Sequence, residues 1–350
     1  MPQLRLYVLF LAGVVVSGCV GAAVTSTPIA VAVETTTTST ITTSTSTSLT
    51  TTSSMVAERG WLVIQGTGDV NLDPAYIPAL AAEGWDHAWS GLDGLFLEDD
   101  LTVVNLECAP SDLGSPEPKE FVFRCPPQAL PSLAVNGIEV ANLGNNHSGD
   151  YGKEALVDGR ANLLASGVAP VGAGSDFDEA GAPALFEVDG WTIAVVGFGG
   201  VFPNDAWVAS EETAGMRNGD DTDSMVDAVA AASALADLVI VTVHWGVELD
   251  TAPRPDDVDR AESMIAAGAD IIFGHHPHRL QPLDVIDGRP VFWSLGNFVW
   301  PNFSVASSTT AVARAVVSPD GTIEGCFIPA MIESHGHPVL TGEPTCGPPP

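Results

Sequence analysis

The chain predicts an α/β fold, and three observations carry that prediction. From Arg59 onward, apolar runs of strand length alternate with longer segments of helical spacing. Hydrophobic residues make up 45% of the 350 residues, enough for a large core. Asp, Glu, Asn and His recur directly after the apolar runs, where α/β sheets place their ligand crevices.

The first segment stands apart from that fold. Met1 to Val16 carries one basic residue, Arg5, followed by the apolar run Leu6–Leu11, which is short for a bilayer span before Ser17, Gly18 and Cys19 interrupt it. Residues 1–18 are expected to be a signal peptide. Val16-Ser17-Gly18-Cys19 resembles the bacterial lipobox, which implies lipidation of Cys19, an extracytoplasmic location and attachment to a membrane through the lipid. Residues 19–56 include a tract of almost pure Thr and Ser, with nothing large to bury, and are expected to be a disordered tether. Residues 57–350 form the expected domain.

Within it, Trp61–Ile64, Thr102–Val104 and Ile138–Ala141 read as strands, followed by Thr192–Val196, Leu238–Val243 and Ile271–Phe273. Lys153–Ser166, Asp221–Ala236 and Pro255–Ala267 read as helices. No fixed period recurs, so a solenoid or propeller is not expected. Twelve Lys and Arg against 44 Asp and Glu give a net charge of -32, which excludes nucleic acid as a main partner and a polybasic attachment to anionic lipid.

The polar residues at the strand ends are Asp69 and Asn71, Asn105 and Glu107, Asn145, Asn146 and His147, His244, and His275, His276 and His278. Five of the eight histidines fall in these positions. Carboxylate, amide and imidazole together make a ligand set suited to Mn, Zn or Fe. The flanking of Pro277 by histidines places imidazoles on a constrained turn. Trp245, beside His244, is expected to pack the wall.

Gly68-Asp69-Val70-Asn71-Leu72, Asn105-Leu106-Glu107, Asn145-Asn146-His147-Ser148-Gly149-Asp150-Tyr151-Gly152, His244-Trp245-Gly246-Val247-Glu248, Gly274-His275-His276-Pro277-His278 and Ser294-Leu295-Gly296-Asn297-Phe298 occur in that order. The series resembles that of the CapA-type, poly-gamma-glutamate capsule biosynthesis family, across Trp61 to Pro301. That family is similar in turn to the calcineurin-like metallophosphoesterases. The resemblance implies a four-layer α/β/β/α sandwich with two divalent ions at the strand ends. Asp69, Glu107 and His278 would surround one ion and Asn146, His244 and His276 the other, with Glu107 a bridge and Asn71 a further ligand candidate. His147 would be the proton donor or transition-state stabiliser. Asn105, Asn145, Asp150, Glu248, His275 and Asn297 would support the ligands or meet substrate.

Two departures matter: Asp69-Val70-Asn71 stands where phosphoesterases have Asp-x-His, and Glu107 where they have a bridging aspartate. Such a site suits phosphoester and amide hydrolysis alike. Three roles follow: a hydrolase of a cell-surface polymer or its phosphorylated precursor, a non-catalytic component working with membrane-bound capsule synthase proteins, and a surface phosphoesterase with no capsule role. An anionic polymer would need local cations, such as Arg124 and Arg279, against the overall charge.

With Cys19 set aside, four cysteines remain, which allow three pairings in an oxidising compartment. Cys108–Cys125 and Cys326–Cys346 are expected, because each closes a short loop. The rival is a free Cys108 acting as thiolate beside Glu107.

Overall fold

The computed structural model describes residues 5–7 and 58–346. In chain order the strands begin with β1 (Arg5–Tyr7), β2 (Leu62–Val70), β3 (Leu101–Leu106), β4 (Val140–Asn142), β5 (Ala169–Val171) and β6 (Ala173–Gly174). Next come β7 (Ala184–Val188), β8 (Trp191–Gly199), β9 (Gly215–Met216), β10 (Leu238–His244) and β11 (Ile271–His275). The last six are β12 (Leu283–Ile286), β13 (Arg289–Phe292), β14 (Asn297–Val299), β15 (Thr309–Val317), β16 (Ile323–Ser334) and β17 (His337–Leu340). The helices are α1 (Pro78–Glu83), α2 (Pro131–Val135), α3 (Gly152–Ala165), α4 (Phe177–Gly181), α5 (Thr222–Ser233), α6 (Pro255–Ala266) and α7 (Val305–Ser308). Within the expected leader, Arg5–Tyr7 pairs antiparallel with β7. The rest of that leader, Cys19 and the tether up to residue 57 lie outside the described residues.

Two large sheets build the domain. One has seven strands in the order β1-β7-β8-β10-β11-β13-β12; the other has eight, β17-β16-β15-β2-β3-β4-β5 with β14 beside β2. Each has a parallel centre, β2-β3-β4-β5 in one and β8-β10-β11-β13 in the other, so the carboxyl ends of these strands gather on one rim of each sheet.

Alternation of side chains fixes the layers. Leu62 and Ile64 of β2 and Leu101 and Val103 of β3 enter one core with Ile193 and Val195 of β8 and Leu238 and Ile240 of β10. The other face of β8 and β10, through Val196, Val239 and Val241, packs on Met225 and Val229 of α5 and Ala261 and Met264 of α6. The other face of β3, through Val104 and Leu106, packs on Leu133 of α2 and Leu156 and Leu163 of α3. The result is a four-layer α/β/β/α sandwich, as the motif series implied. At the site end the sheets approach closely: a Cβ on Gly144 would stand 2.6 Å from the carbonyl carbon of Phe198.

At the opposite ends of the strands, acidic residues hold the register. Asp100, Glu139, Asp237 and Asp270 each precede a strand and accept an N–H from the neighbouring one, at Val63, Thr102, Thr192 and Val239 respectively. Burial pushes the Glu139 carboxyl up to about 7. Both expected disulfides are present, Cys108–Cys125 and Cys326–Cys346, with Cα atoms 5.6 and 5.5 Å apart, so Cys108 is not a thiolate ligand.

Candidate metal centre

The site is built from the rim residues upward. Asp69 lies near the end of β2, Asn105 within β3, and Glu107 one residue beyond it. All three are buried. Asn105 ties them together: its Nδ2 donates to Asp69 Oδ1 at 2.9 Å and lies 3.1 Å from His244 Nδ1. Its Oδ1 accepts from Asn142 and Asn145, each at 3.3 Å. Asn145 in turn accepts the backbone N–H groups of His147 and Ser148, and so shapes the turn that carries Asn146 and His147.

From the other sheet come His244, His276 and His278. His244 Nε2 is 2.7 Å from Asn146 Oδ1 and 3.6 Å from Glu107 Oε1. His278 Nδ1 is 3.0 Å from Asp69 Oδ2, and its Nε2 is 3.9 Å from Glu107 Oε1. His276 and His278 adopt φ of 94° and 52° around Pro277. Non-glycine residues held in this region store strain, and such strain clusters at functional sites.

Two groups of ligand atoms result, each within 4.8 Å: Glu107, His276 and His278, and Asp69, Glu107 and His244. Glu107 is common to both. The two groups do not exclude other pairings: His278 also meets Asp69 and His244 meets Asn146, as the resemblance implies. Both oxygens of Glu107, Asp69 Oδ2, and Nδ1 of His276 and His278 are buried without a properly formed hydrogen bond. Orphaned ligand atoms on this scale are costly unless something answers them. Divalent cations fit that donor set.

The electrostatics point the same way. Burial, then the Asp69 charge, pushes Glu107 well above the ordinary carboxylate range. Burial works upward on Asp69 too, but the close approach of the His278 ring, and then of His275, holds it below its usual value. Burial lowers His276 to about 3 and His275 to about 4, and lowers His244 strongly, leaving neutral rings with lone pairs to offer. Ionising Glu107 beside Asp69 needs positive charge between them, which is what a metal ion brings.

His147 stands beside this cluster and is differently held. Its Nδ1 is 2.8 Å from Asp150 Oδ2, and its ring packs on Phe123 at 4.3 Å between centroids. Asp150 also accepts the Phe123 N–H and pairs with Lys119. Burial lowers the His147 pKa, against the pull of Asp150. The dyad holds the ring through Nδ1, so any proton transfer by this ring would fall to Nε2.

The remaining expected residues divide. His275 is buried with Nε2 3.1 Å from Thr242 Oγ1 and Nδ1 3.8 Å from Asp69 Oδ1, so it backs the carboxylate. Asn297 is buried at the start of β14 and donates to Ser307 O at 2.9 Å. Asn71 is buried, and its Oδ1 accepts the Asp73 N–H at 2.8 Å in a local turn. Glu248, expected to support the ligands or meet substrate, is exposed on the loop after His244 and lies outside both ligand groups. Trp245 is buried and donates to Trp293 O.

Sequence reasoning missed Lys119, which contacts Asn146 O at 2.6 Å, and Trp300, which packs on His278 at 4.9 Å. Neither sits in a motif. The scarcity of lysine was the one signal for the first.

The family model described as "Bacterial capsule synthesis protein PGA_cap" matches residues 63–302. The PGA biosynthesis protein CapA of Bacillus subtilis is 33% identical over 218 residues, 62% of this chain and 56% of its own length. The capsule biosynthesis protein CapA of Bacillus anthracis is 34% identical over 208 residues, covering 59% and 51%. A probable polyglutamine synthesis accessory protein of Mycobacterium tuberculosis is 30% identical over 210 residues, covering 57% and 55%. The chain spans about half the length of these relatives. Among solved structures, the NAD nucleotidase of Haemophilus influenzae aligns at a TM-score of 0.46 and 14% identity, over 78% of this chain and 50% of its own. With 240 residues matched and the motifs gathered on one rim, the chain belongs to the bacterial capsule synthesis protein family.

Proposed function

We propose that the protein is a metal-dependent hydrolase, held outside the cytoplasm by a lipid on Cys19, that processes a capsular polymer (poly-gamma-glutamate or a similar chain) or its phosphorylated precursor. The single observation that carries this reading is Glu107, shared by two ligand groups with both oxygens buried and unanswered. Asp69, Glu107 and His244, and Glu107, His276 and His278, are the residues that would hold two divalent ions, Mn, Zn or Fe. Bound there, the ions would supply Lewis-acid activation of water and neutralisation of developing charge.

The chain's own residues do the rest. Asn105 orients Asp69 and His244 together. Asp150 keeps His147 Nδ1 engaged, so Nε2 accepts a proton and Asp150 stabilises the imidazolium that can then return it to a leaving group. Amide and phosphoester bonds both meet these requirements.

A second reading, a non-catalytic polymer-binding component of a membrane-bound capsule synthase assembly, is favoured by Asn71. It stands where phosphoesterases carry an imidazole, and its oxygen already accepts the Asp73 N–H in a turn. A hydrolysis screen with added Mn separates the two, using γ-linked glutamate oligomers and phosphate monoesters. The hydrolase reading expects turnover of at least one class, abolished in His276→Ala. No turnover of either class by metal-loaded protein would favour the assembly reading.

A further inference from the structure

Lysine occurs at only two positions in the chain, 119 and 153, against 44 acidic residues. Lys119 stands beside His147, and Lys153 lines a cavity together with Gly149, two residues on from His147. Lys119 Nζ lies 3.3 Å from His147 Nδ1 and 5.3 Å from the centroid of the Trp207 ring. Trp207, Lys153, Glu117 and Asn204 line a cavity of about 190 Å³, floored by Gly149 of the His147 turn and Gly152 at the start of α3. That is well beyond the space one water needs. Gly149 is required there, because a Cβ would stand 2.6 Å from the Trp207 ring.

The two ammonium groups differ in how they are used. Lys119 is paired with Asp150 and so belongs to the dyad's support. Lys153 is exposed, and among the described residues no carboxylate lies within ion-pair distance of it. In a domain this acidic, an unpaired ammonium on the wall of a cavity is the group an incoming anion would meet. The Trp207 face offers a flat surface for methylene groups, and Asn204 an amide for a second polar contact. Glu117, the one acid in the lining, disfavours a second anionic group in the same space.

We infer that this cavity is a substrate subsite that holds one oxyanion group, a carboxylate or a phosphate, on Lys153 with its carbon stem against Trp207. The inference deepens the polymer-processing reading and rests on it for the identity of the occupant. It sets the unit next to the reacting bond and gives an acidic protein a local means of receiving an acidic substrate.

Titration calorimetry on the full chain tests it, with γ-linked triglutamate and inorganic phosphate as separate probes. A charge-assisted contact of this kind is worth about tenfold or more in affinity. Lys153→Ala should weaken one probe by that factor, Lys153→Arg should retain most of the binding, and added salt should weaken the wild type. Arg289→Gln, which removes a cation at the opposite ends of the strands, should bind like the wild type. The probe that responds identifies the source of the oxyanion. Equal affinity in Lys153→Ala for both probes, equal loss in Arg289→Gln, or no binding of either probe by the wild type overturns the inference. Turnover reports separately on the neighbouring site. Binding that depends on Lys153 in a chain that hydrolyses nothing keeps the subsite and removes the hydrolase; hydrolysis with Lys153-independent binding does the reverse.

Discussion

Glu107 and His147 are held in different ways although they stand close to the same cluster of histidines. Glu107 is buried among ligand-type atoms and is pushed toward its protonated form until a cation arrives. His147 instead spends one nitrogen on Asp150 and packs its ring on Phe123. Its loss should therefore leave the ligand groups intact. Replacing His147 with alanine should lower turnover by roughly 10²–10⁴ while metal content stays near wild type. Elemental analysis beside rate measurements decides this, and metal loss as complete as in His276→Ala would show that His147 is a ligand. The motif order made both residues visible from sequence. A motif position gives residue type but not the local turn, so the hydrogen bond from the Asp73 N–H to the Asn71 oxygen was not legible. Nor was it legible that Glu248, in the same motif as His244, lies past the strand end on an exposed loop.

At the scale of elements, the strand–helix alternation was legible where each strand is a continuous apolar run, as in β8, β10 and β11, buried nearly throughout. It was not legible in the carboxyl-terminal strands. β16 alternates exposed and buried residues around Gly325 and Pro329, and β12 is only four residues long with two exposed. These strands are held by their antiparallel neighbours rather than by their own composition. The disulfides were legible from loop length, and the first ties the residue after Glu107 to Cys125, whose Sγ accepts the Leu72 N–H. Opening that bridge with Cys108→Ser and Cys125→Ser together should cost about 3 kcal/mol by the loop-entropy argument. Denaturant unfolding of the oxidised proteins measures it; a double variant as stable as the parent would mean that the bridge adds nothing beyond the packing around it. The same variant should also loosen the rim at Glu107, seen as weaker metal retention.

At the scale of the whole molecule, charge is the dominant fact. A net charge of -32 keeps the domain apart from anionic surfaces, so residence at a membrane calls for an anchor other than basic residues. The proposed lipid on Cys19, followed by a Thr/Ser tether, answers that need. Mass spectrometry of the mature protein should find residues 1–18 removed and a lipid-modified Cys19; an intact leader, or a processed but unmodified amino terminus, would contradict it. One chain would then combine a membrane address, a spacer and an acidic α/β/β/α domain whose single rim collects the imidazoles. Everything chemical in this account depends on cations filling that rim. The most direct test is metal stoichiometry, measured by elemental analysis after equilibration with Mn or Zn and removal of free metal. The account predicts about two ions per chain in the wild type and a lower number in both Glu107→Ala and His276→Ala. A wild-type protein that emerges folded and metal-free would contradict it.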